Sequence, residues 1–284
     1  MRTIGLFTAW GCQDWVNASI ENHLKIVDEL HVGIFPHADV FKPLEDDTLG
    51  VAKSVWGKNP RVKFLEKQNT LNQCCDRTKC ALLNQMLKEA KPEKGDIVSI
   101  CDVDEFFDNK AVQEIEKLKS NYKWDIIDLD ARYFAVNMQW FMFQIGLARF
   151  FRAANKNFEF VPTQRPAFCT PGPRTRIRAL KHNPLFHYSL LMPLRHKLAH
   201  WGSEKGAKPI KLKWLKEIYM KWNPEDKALC NKLAAKNPTP CNGFYVNNDM
   251  GCPKQSPFLH PYTGTHPKEI GKNFINNKDF RTEN

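Results

Sequence analysis

No stretch of this chain comes near the roughly 18 consecutive apolar residues that a membrane-spanning helix needs. The opening, MRTIGLFTAWGCQDW, has one arginine and an apolar run that soon turns polar. That is a poor secretory signal and a good first strand, so the expected location is cytoplasmic, or loosely peripheral to a membrane. No CxxC pair occurs among the nine cysteines, and an odd count in 284 residues suits reduced thiols better than a disulfide framework. Cys230, Cys241 and Cys252 are evenly spaced, but not in the manner of a zinc site. Neither a GxGxxG nor a P-loop pattern is present, which removes the two commonest nucleotide-binding fingerprints. Acids are outnumbered: 31 Asp+Glu stand against 42 Lys+Arg, a net charge of +11. Such a balance admits nucleic acid, anionic lipid or phosphorylated small molecules as partners. The cations are dispersed, with a denser stretch from Arg174 to Lys221.

What is present is a core. The chain is 42% hydrophobic and 12% aromatic, as a globular protein requires. Its first 135 residues alternate between apolar strand patterns and helical stripes. Strands are expected at Ile4–Ala9, Leu30–Phe35, Val62–Leu65, Ile97–Ile100 and Trp124–Phe134. A first helix, capped by Asp14, carries Val16, Ile20, Leu24 and Val27 on one face. A second runs from Asp76 to Ala90, with Leu83, Met86, Leu87 and Ala90 inward. A third runs from Asn109 to Lys119, with Val112, Ile115 and Leu118 inward. This alternation implies an α/β fold, a mostly parallel sheet flanked by helices. Residues 137 to 186, rich in aromatics, Arg and Pro, read as loops and edge strands. Residues 207 to 222 read as a basic amphipathic helix, docked on the domain or lying on an anionic membrane, and the tail from Pro238 reads as irregular.

In open α/β sheets ligands gather beyond the carboxyl ends of the strands. One strand there ends unusually: IVSICDVDEFF, residues 97 to 107, closes an apolar run with Asp102, Asp104 and Glu105. Three acids at the mouth of a buried strand repel one another, and a divalent cation among them would relieve that. Hard oxygen ligands suit Mg²⁺ or Mn²⁺. The plainer alternative is an acidic turn followed by a helix cap, with Asp108 as the capping residue.

A strand ending in DVDEFF after this run of α/β units resembles the metal-binding signature of GT-A fold glycosyltransferases of the family 2-like kind. Trp10, Trp15, Glu21, His23 and Asp28-Glu29-Leu30 resemble the opening unit of that family, and Gln73 to Asn84, with Arg77, resembles the helix before the metal-binding strand. LFHYSLLMPLRHKLAHW, residues 185 to 201, resembles the segment that returns to the metal. The resemblance covers roughly residues 1 to 205, leaving 206 to 284 as an extension, and divides the first part into a nucleotide-sugar half (1–108) and an acceptor half (109–205). It implies Asp102, Asp104 and His187 as metal ligands; the His187 nitrogen tilts the choice toward Mn²⁺. It implies Arg77 and Lys197 against a diphosphate, and Thr8, Ala9 and Asp39 near base or ribose.

The implied activity is transfer of a sugar from a UDP- or GDP-sugar to a hydroxyl on a glycan, glycoprotein or glycolipid, by inversion. Inversion needs a carboxylate base. In DIIDLDARYF strand alternation puts Ile126, Asp128, Asp130 and Arg132 on one face and Ile127, Leu129, Ala131 and Tyr133 on the other; the second set reads as core and the first as facing the site, which makes Asp130 the first candidate. Glu159 is the second, although FVPTQRPAF (160–168) lacks the HE or ED pair expected from the family. Tyr133, Trp140 and Trp201 are candidates for stacking an acceptor sugar. Two rival functions are weighed. A nucleotidyltransferase would want a glycine-rich basic loop after the first strand, and TAWGCQDW has no cation. A nucleic-acid-binding protein leaves the acids unexplained, so no nucleic acid is expected.

Overall fold

The computed structural model describes residues 1–36, 46–68, 75–121, 123–135, 137–155, 158–162, 168–169, 176–179, 185–191, 219–221, 223, 226 and 260–271. The boundary expected at 205/206 and nearly all of the basic segment 207–222 lie outside these residues.

The first half is built as the alternation implies. Strand β1 (Thr3–Ala9) is followed by helix α1 (Gln13–His23), β2 (Glu29–Ile34), α2 (Thr48–Trp56), β3 (Val62–Phe64), α3 (Cys75–Ala90) and β4 (Ile97–Asp102). A short β5 (Glu105–Phe107) and helix α4 (Asn109–Lys119) come next, then β6 (Ile126–Ala135) and β7 (Asn137–Arg152). Shorter strands complete the set: β8 (Val161–Pro162), β9 (Phe168–Cys169), β10 (Arg176–Ala179), β11 (Leu185–His187) and β12 (His260–Pro261). The main sheet runs in the order β3-β2-β1-β4-β7-β6-β11-β5, with β10 beside β6 and β12 beside β7. It is parallel from β3 through β4; β7 then runs antiparallel to both β4 and β6, while β10 and β11 lie parallel along one edge of β6. This is the expected mixed α/β fold with a mostly parallel sheet.

Helices cover both faces. Trp15, Val16 and Ile20 of α1, Ala52 of α2, and Ala111 and Ile115 of α4 pack on one face. Leu82, Leu83, Met86, Leu87 and Ala90 of α3 pack with Phe158 and Phe160 on the other. Strands β1 and β4 are therefore buried on both sides, which is why their sequences are unbroken apolar runs rather than alternating ones. Cys12, Cys80 and Cys101 are buried and take part in no disulfide.

Several local expectations are corrected. Asp14 does not cap α1: Cys12 holds the cap position, its carbonyl accepting from Trp15 and Val16, and Asp14 sits in the first turn, where the helix dipole favours an acid. The helix ends at His23, so Leu24 and Val27 follow it on tighter turns, with Lys25 N–H bonded to Asn22 O and Ile26 N–H to His23 O. Helix α2 is an addition to the expected elements: it is only nine residues long and fully buries only Thr48 and Ala52, with Leu49, Val51 and Trp56 packed partly exposed against the core. The largest departure is β7: residues 137–152, expected as loop and edge strand, form one 16-residue strand inside the sheet. Its end is buried on both faces at Ala148, Phe150 and Phe151, so the run lacks the alternation by which a strand is recognised. A bulge breaks the register between Leu129 and Ala131, opposite Gly146, whose φ of +71° suits a residue without a Cβ. Asp108 caps α4 as expected, its carboxylate accepting from Ala111 N–H at 2.7 Å.

The segment 260–271 folds back onto the sheet. Tyr262 N–H bonds to Gln139 O at 2.7 Å, and His266 bridges the Tyr188 hydroxyl (2.7 Å) and Met138 O (2.9 Å). Asn22 joins this segment to the rest. Its amide NH₂ donates to Phe107 O at 2.9 Å and to Glu269 at 2.8 Å, and its oxygen accepts from Phe107 N–H at 2.7 Å. Asn22→Ala leaves these buried groups unsatisfied and is expected to cost about 2–4 kcal/mol, read from urea unfolding; a change near zero would show that the junction contributes nothing.

Candidate functional site at the mouth of strand β4

Strands β1 and β4 end side by side, with Thr8 paired to Asp102. The Thr8 hydroxyl donates to Asp102 Oδ1 at 3.3 Å, and Ala9 closes β1, fully buried. After Asp102 the chain turns through Val103 and Asp104 into β5, which pairs antiparallel with β11, so that Glu105 faces His187 in register. The turn is pinned by Tyr188 N–H, which donates to Asp104 O at 2.7 Å. His187 Nε2 then lies 3.6 Å from Asp104 Oδ2, and its Nδ1 lies 4.0 Å from Glu105 Oε1. The Tyr133 ring meets the imidazole edge to face at 4.5 Å.

Two cations, the buried Arg149 and the half-buried Lys79, hold the acids. Arg149 of β7 forks onto Glu105: Nε donates to Oε2 at 2.6 Å and Nη2 to Oε1, while Nη2 also reaches Asp102 Oδ2 at 3.3 Å. Lys79 of α3 donates to Asp102 Oδ1. Burial opposes ionisation of Asp102, but Lys79 and Arg149 outweigh it and hold its carboxyl down to about 2. Burial pushes Glu105 up, with Arg149 pulling against it. Beneath Asp102, burial holds His23 at about 4, so its ring is neutral near pH 7. Its Nε2 then donates to Asp102 O at 3.2 Å.

The predicted site residues therefore fare differently. Asp102, Asp104, His187 and Thr8 come together. Among the described residues, however, no group of three or more His, Cys, Asp or Glu side chains is placed to hold a metal ion. Asp102 spends its carboxylate on Lys79 and Arg149, and the pair that stays adjacent is Asp104 with His187. Arg77 is exposed at the start of α3. Lys79 occupies the site instead, because two helical residues project some 200° apart. Asp130 is buried on β6, its Oδ1 accepting from Gly146 N–H at 3.1 Å across the bulge. Glu159 is exposed between the buried Phe158 and Phe160. Asp39 and Lys197 lie outside the described residues, as does Trp201.

Lys79 and Arg149 were missed, though each left a signal. Lys79 continues the stripe of Leu83, Met86, Leu87 and Ala90, and a lysine on a core stripe needs a buried partner. Arg149 is a lone charge in the apolar run LARFF, and the same reasoning applies.

No family model matches the chain, and no curated protein matches it. Some solved structures share part of its topology. S. aureus TarS 1–349 superposes with a TM-score of 0.41 at 12% identity, covering 82% of this chain and 70% of that one. In complex with UDP-GlcNAc the same protein matches over 49% of this chain and only 36% of its own length, at 14% identity and a TM-score of 0.35. The mannosyltransferase PcManGT from Pyrobaculum calidifontis, in complex with GDP-Man and Mn²⁺, matches at 13% identity and a TM-score of 0.37, over 84% of this chain and 76% of that one. A 4-diphosphocytidyl-2C-methyl-D-erythritol synthase matches at 12% identity and a TM-score of 0.35, over 54% and 75%. These are distant likenesses of α/β topology, so function has to be read from the side chains.

The ion pairs make the acid response specific. A carboxyl held at about 2 when folded, against 3.8 when free, contributes stability above about pH 4 and loses it as pH falls toward 2. Lys79→Met removes the first of the two cations that hold Asp102 down. It should lower stability at pH 7 by about 3 kcal/mol and make acid unfolding, followed by circular dichroism, begin at a higher pH. An acid transition at the wild-type pH would contradict the pairing.

Proposed function

We propose that this protein is a divalent-metal-assisted glycosyltransferase that moves a sugar from a UDP- or GDP-linked donor to a hydroxyl acceptor on a glycan, glycoprotein or glycolipid. The observation that carries the reading is the 3.6 Å approach of Asp104 and His187 beside the cation-held Asp102, at the carboxyl ends of parallel β1 and β4. Two donor atoms at that separation lie within the span of two metal bonds of about 2.1 Å each. Mg²⁺ and Mn²⁺ sites of this kind use one or two protein side chains and complete their shell with water and substrate phosphate. Asp104 and His187 therefore fit as the residues that would hold the cation. When bound, it supplies Lewis-acid stabilisation of the charge on a departing nucleoside diphosphate.

The chain's own residues prepare the rest. Lys79 and Arg149 neutralise Asp102 and Glu105, so a diphosphate entering the site meets fewer unpaired negative charges. The Tyr188 N–H bond to Asp104 O and the Tyr133 ring fix the two proposed ligands relative to one another. Thr8 and Ala9 face the nucleoside in this reading, with Arg77, Lys197 and Asp39 assigned to the nucleotide from sequence alone. A cytoplasmic location, with or without peripheral membrane contact, belongs to the same proposal.

The direct test is a thermal-shift screen of nucleoside diphosphates and nucleotide sugars, with and without Mn²⁺. A ligand that binds the folded state raises Tm, by an amount equivalent to about 2.7 kcal/mol at a hundredfold excess over Kd. One nucleotide should give a Mn²⁺-dependent shift that Asp104→Ala and His187→Ala abolish. No shift with any nucleotide would sink the reading.

Inversion further needs a base, for which the proposal keeps the sequence-based order of Asp130 ahead of Glu159, although Asp130 shares its strand parity with Arg132 and its carboxylate already accepts from Gly146 N–H. Asp130→Asn should lower kcat about 10²–10⁴-fold with KM little changed, in a sugar-transfer assay. An unchanged kcat would remove Asp130 from the mechanism and make Glu159 the residue to substitute.

A further inference from the structure

A second polar cleft lies on the other face of the sheet edge. Consecutive strand residues point to opposite faces, so Tyr133 meets His187 at the acid cluster while Arg132 turns away from it. Arg132 faces a cleft of about 440 Å³ between the start of α4 and the returning segment 260–271. Lys25, Lys110, Arg132 and Lys268 converge on it, and none of its lining residues belongs to the acid cluster. The acid in its wall, Asp108, is committed to capping α4 through Ala111 N–H. Behind the wall, Glu269 binds Lys25 at 2.6 Å and lies 4.0 Å from Lys268. Lys110 and Arg132 have no carboxylate partner among the described residues.

Arg132 is held as if to receive an anion. Its guanidinium carbon lies 5.0 Å from the Phe186 ring centre and 5.6 Å from that of Tyr262, so the group is wedged among aromatic surfaces. Its Nη1 is buried and has no hydrogen-bond acceptor among the described residues. A buried guanidinium N–H left unpaired is costly, and an incoming oxygen anion would satisfy it. The planar fork of arginine matches a phosphate better than a chloride or a monodentate acceptor. The cleft is larger than a phosphate, and Tyr262 and Thr265 in its wall offer an aromatic edge and a hydroxyl to a sugar-sized body.

We propose that this cleft binds a phosphomonoester of a small polar molecule, with the phosphate on Arg132 and Lys110. It is a site separate from the proposed donor site. The test is calorimetric titration of the full chain with inorganic phosphate and with glucose 6-phosphate, at constant ionic strength in chloride. Both should bind saturably, and Lys110→Gln and Arg132→Gln should each weaken binding about tenfold or more. Lys110 is exposed, so its variant keeps the test sound if loss of Arg132 from its aromatic seat impairs folding. Asp104→Ala should leave phosphate binding unchanged, which separates failure here from failure of the transferase reading. Three results would overturn the proposal. One is no saturable binding up to roughly 10 mM. Another is binding that survives Lys110→Gln but is lost in Asp104→Ala. The third is co-sedimentation with phosphatidic-acid vesicles without binding of either soluble phosphate, which would assign the cations to a lipid surface instead.

Discussion

The guanidinium of Arg149 is the constraint on which the site depends. Three carboxylates crowded at the end of a buried strand, one of them wholly buried and two half-buried, need something to take up their charge. Arg149 does so by forking onto Glu105 and reaching Asp102, and Lys79 completes the neutralisation from the opposite helix layer. Glu105, with no exposed side-chain surface, thereby becomes a fixed structural group rather than a free acid. Asp104 and His187 are left as the adjacent pair at the edge of the cluster. The whole arrangement requires β7 to run antiparallel between β4 and β6, because that insertion brings Arg149 beneath the acids.

The same strands serve two faces differently. On one, His187 and Tyr133 stand beside the acids. On the other, the next residues back, Phe186 and Arg132, join an aromatic cluster with Phe134, Tyr188, Tyr262 and His266. The C-terminal segment seals that cluster, and burial holds His266 near 4, so it is neutral between its two partners. A segment far along the chain thus supports the sheet edge from which His187 projects.

Much of the fold was legible because its signals are local. β1, β4, α3 and α4 announce themselves through unbroken apolar runs or a stripe of period 3.6, and the capping role of Asp108 follows from its place before α4. α2 and β7 escaped for different reasons: α2, at nine residues, is too short for its stripe to stand out, and β7 has apolar residues on both faces. For the site, the acids and His187 could be found from DVDEFF and LFH. Their cationic partners could not be assigned, since which charge meets Asp102 depends on the register of α3 over the sheet and on where β7 inserts. Arg77 follows from the resemblance of its helix and from its suitability for phosphate, a different role from that of Lys79, which helix geometry turns onto Asp102.

The most direct test of the account is pulsed EPR of Mn²⁺ bound to the protein in the presence of the nucleoside diphosphate. If Asp104 and His187 hold the cation while Asp102 stays with Lys79 and Arg149, the spectrum should carry ¹⁴N modulation from a directly bound imidazole, absent in His187→Gln. Bound Mn²⁺ without that nitrogen coupling would contradict the assignment.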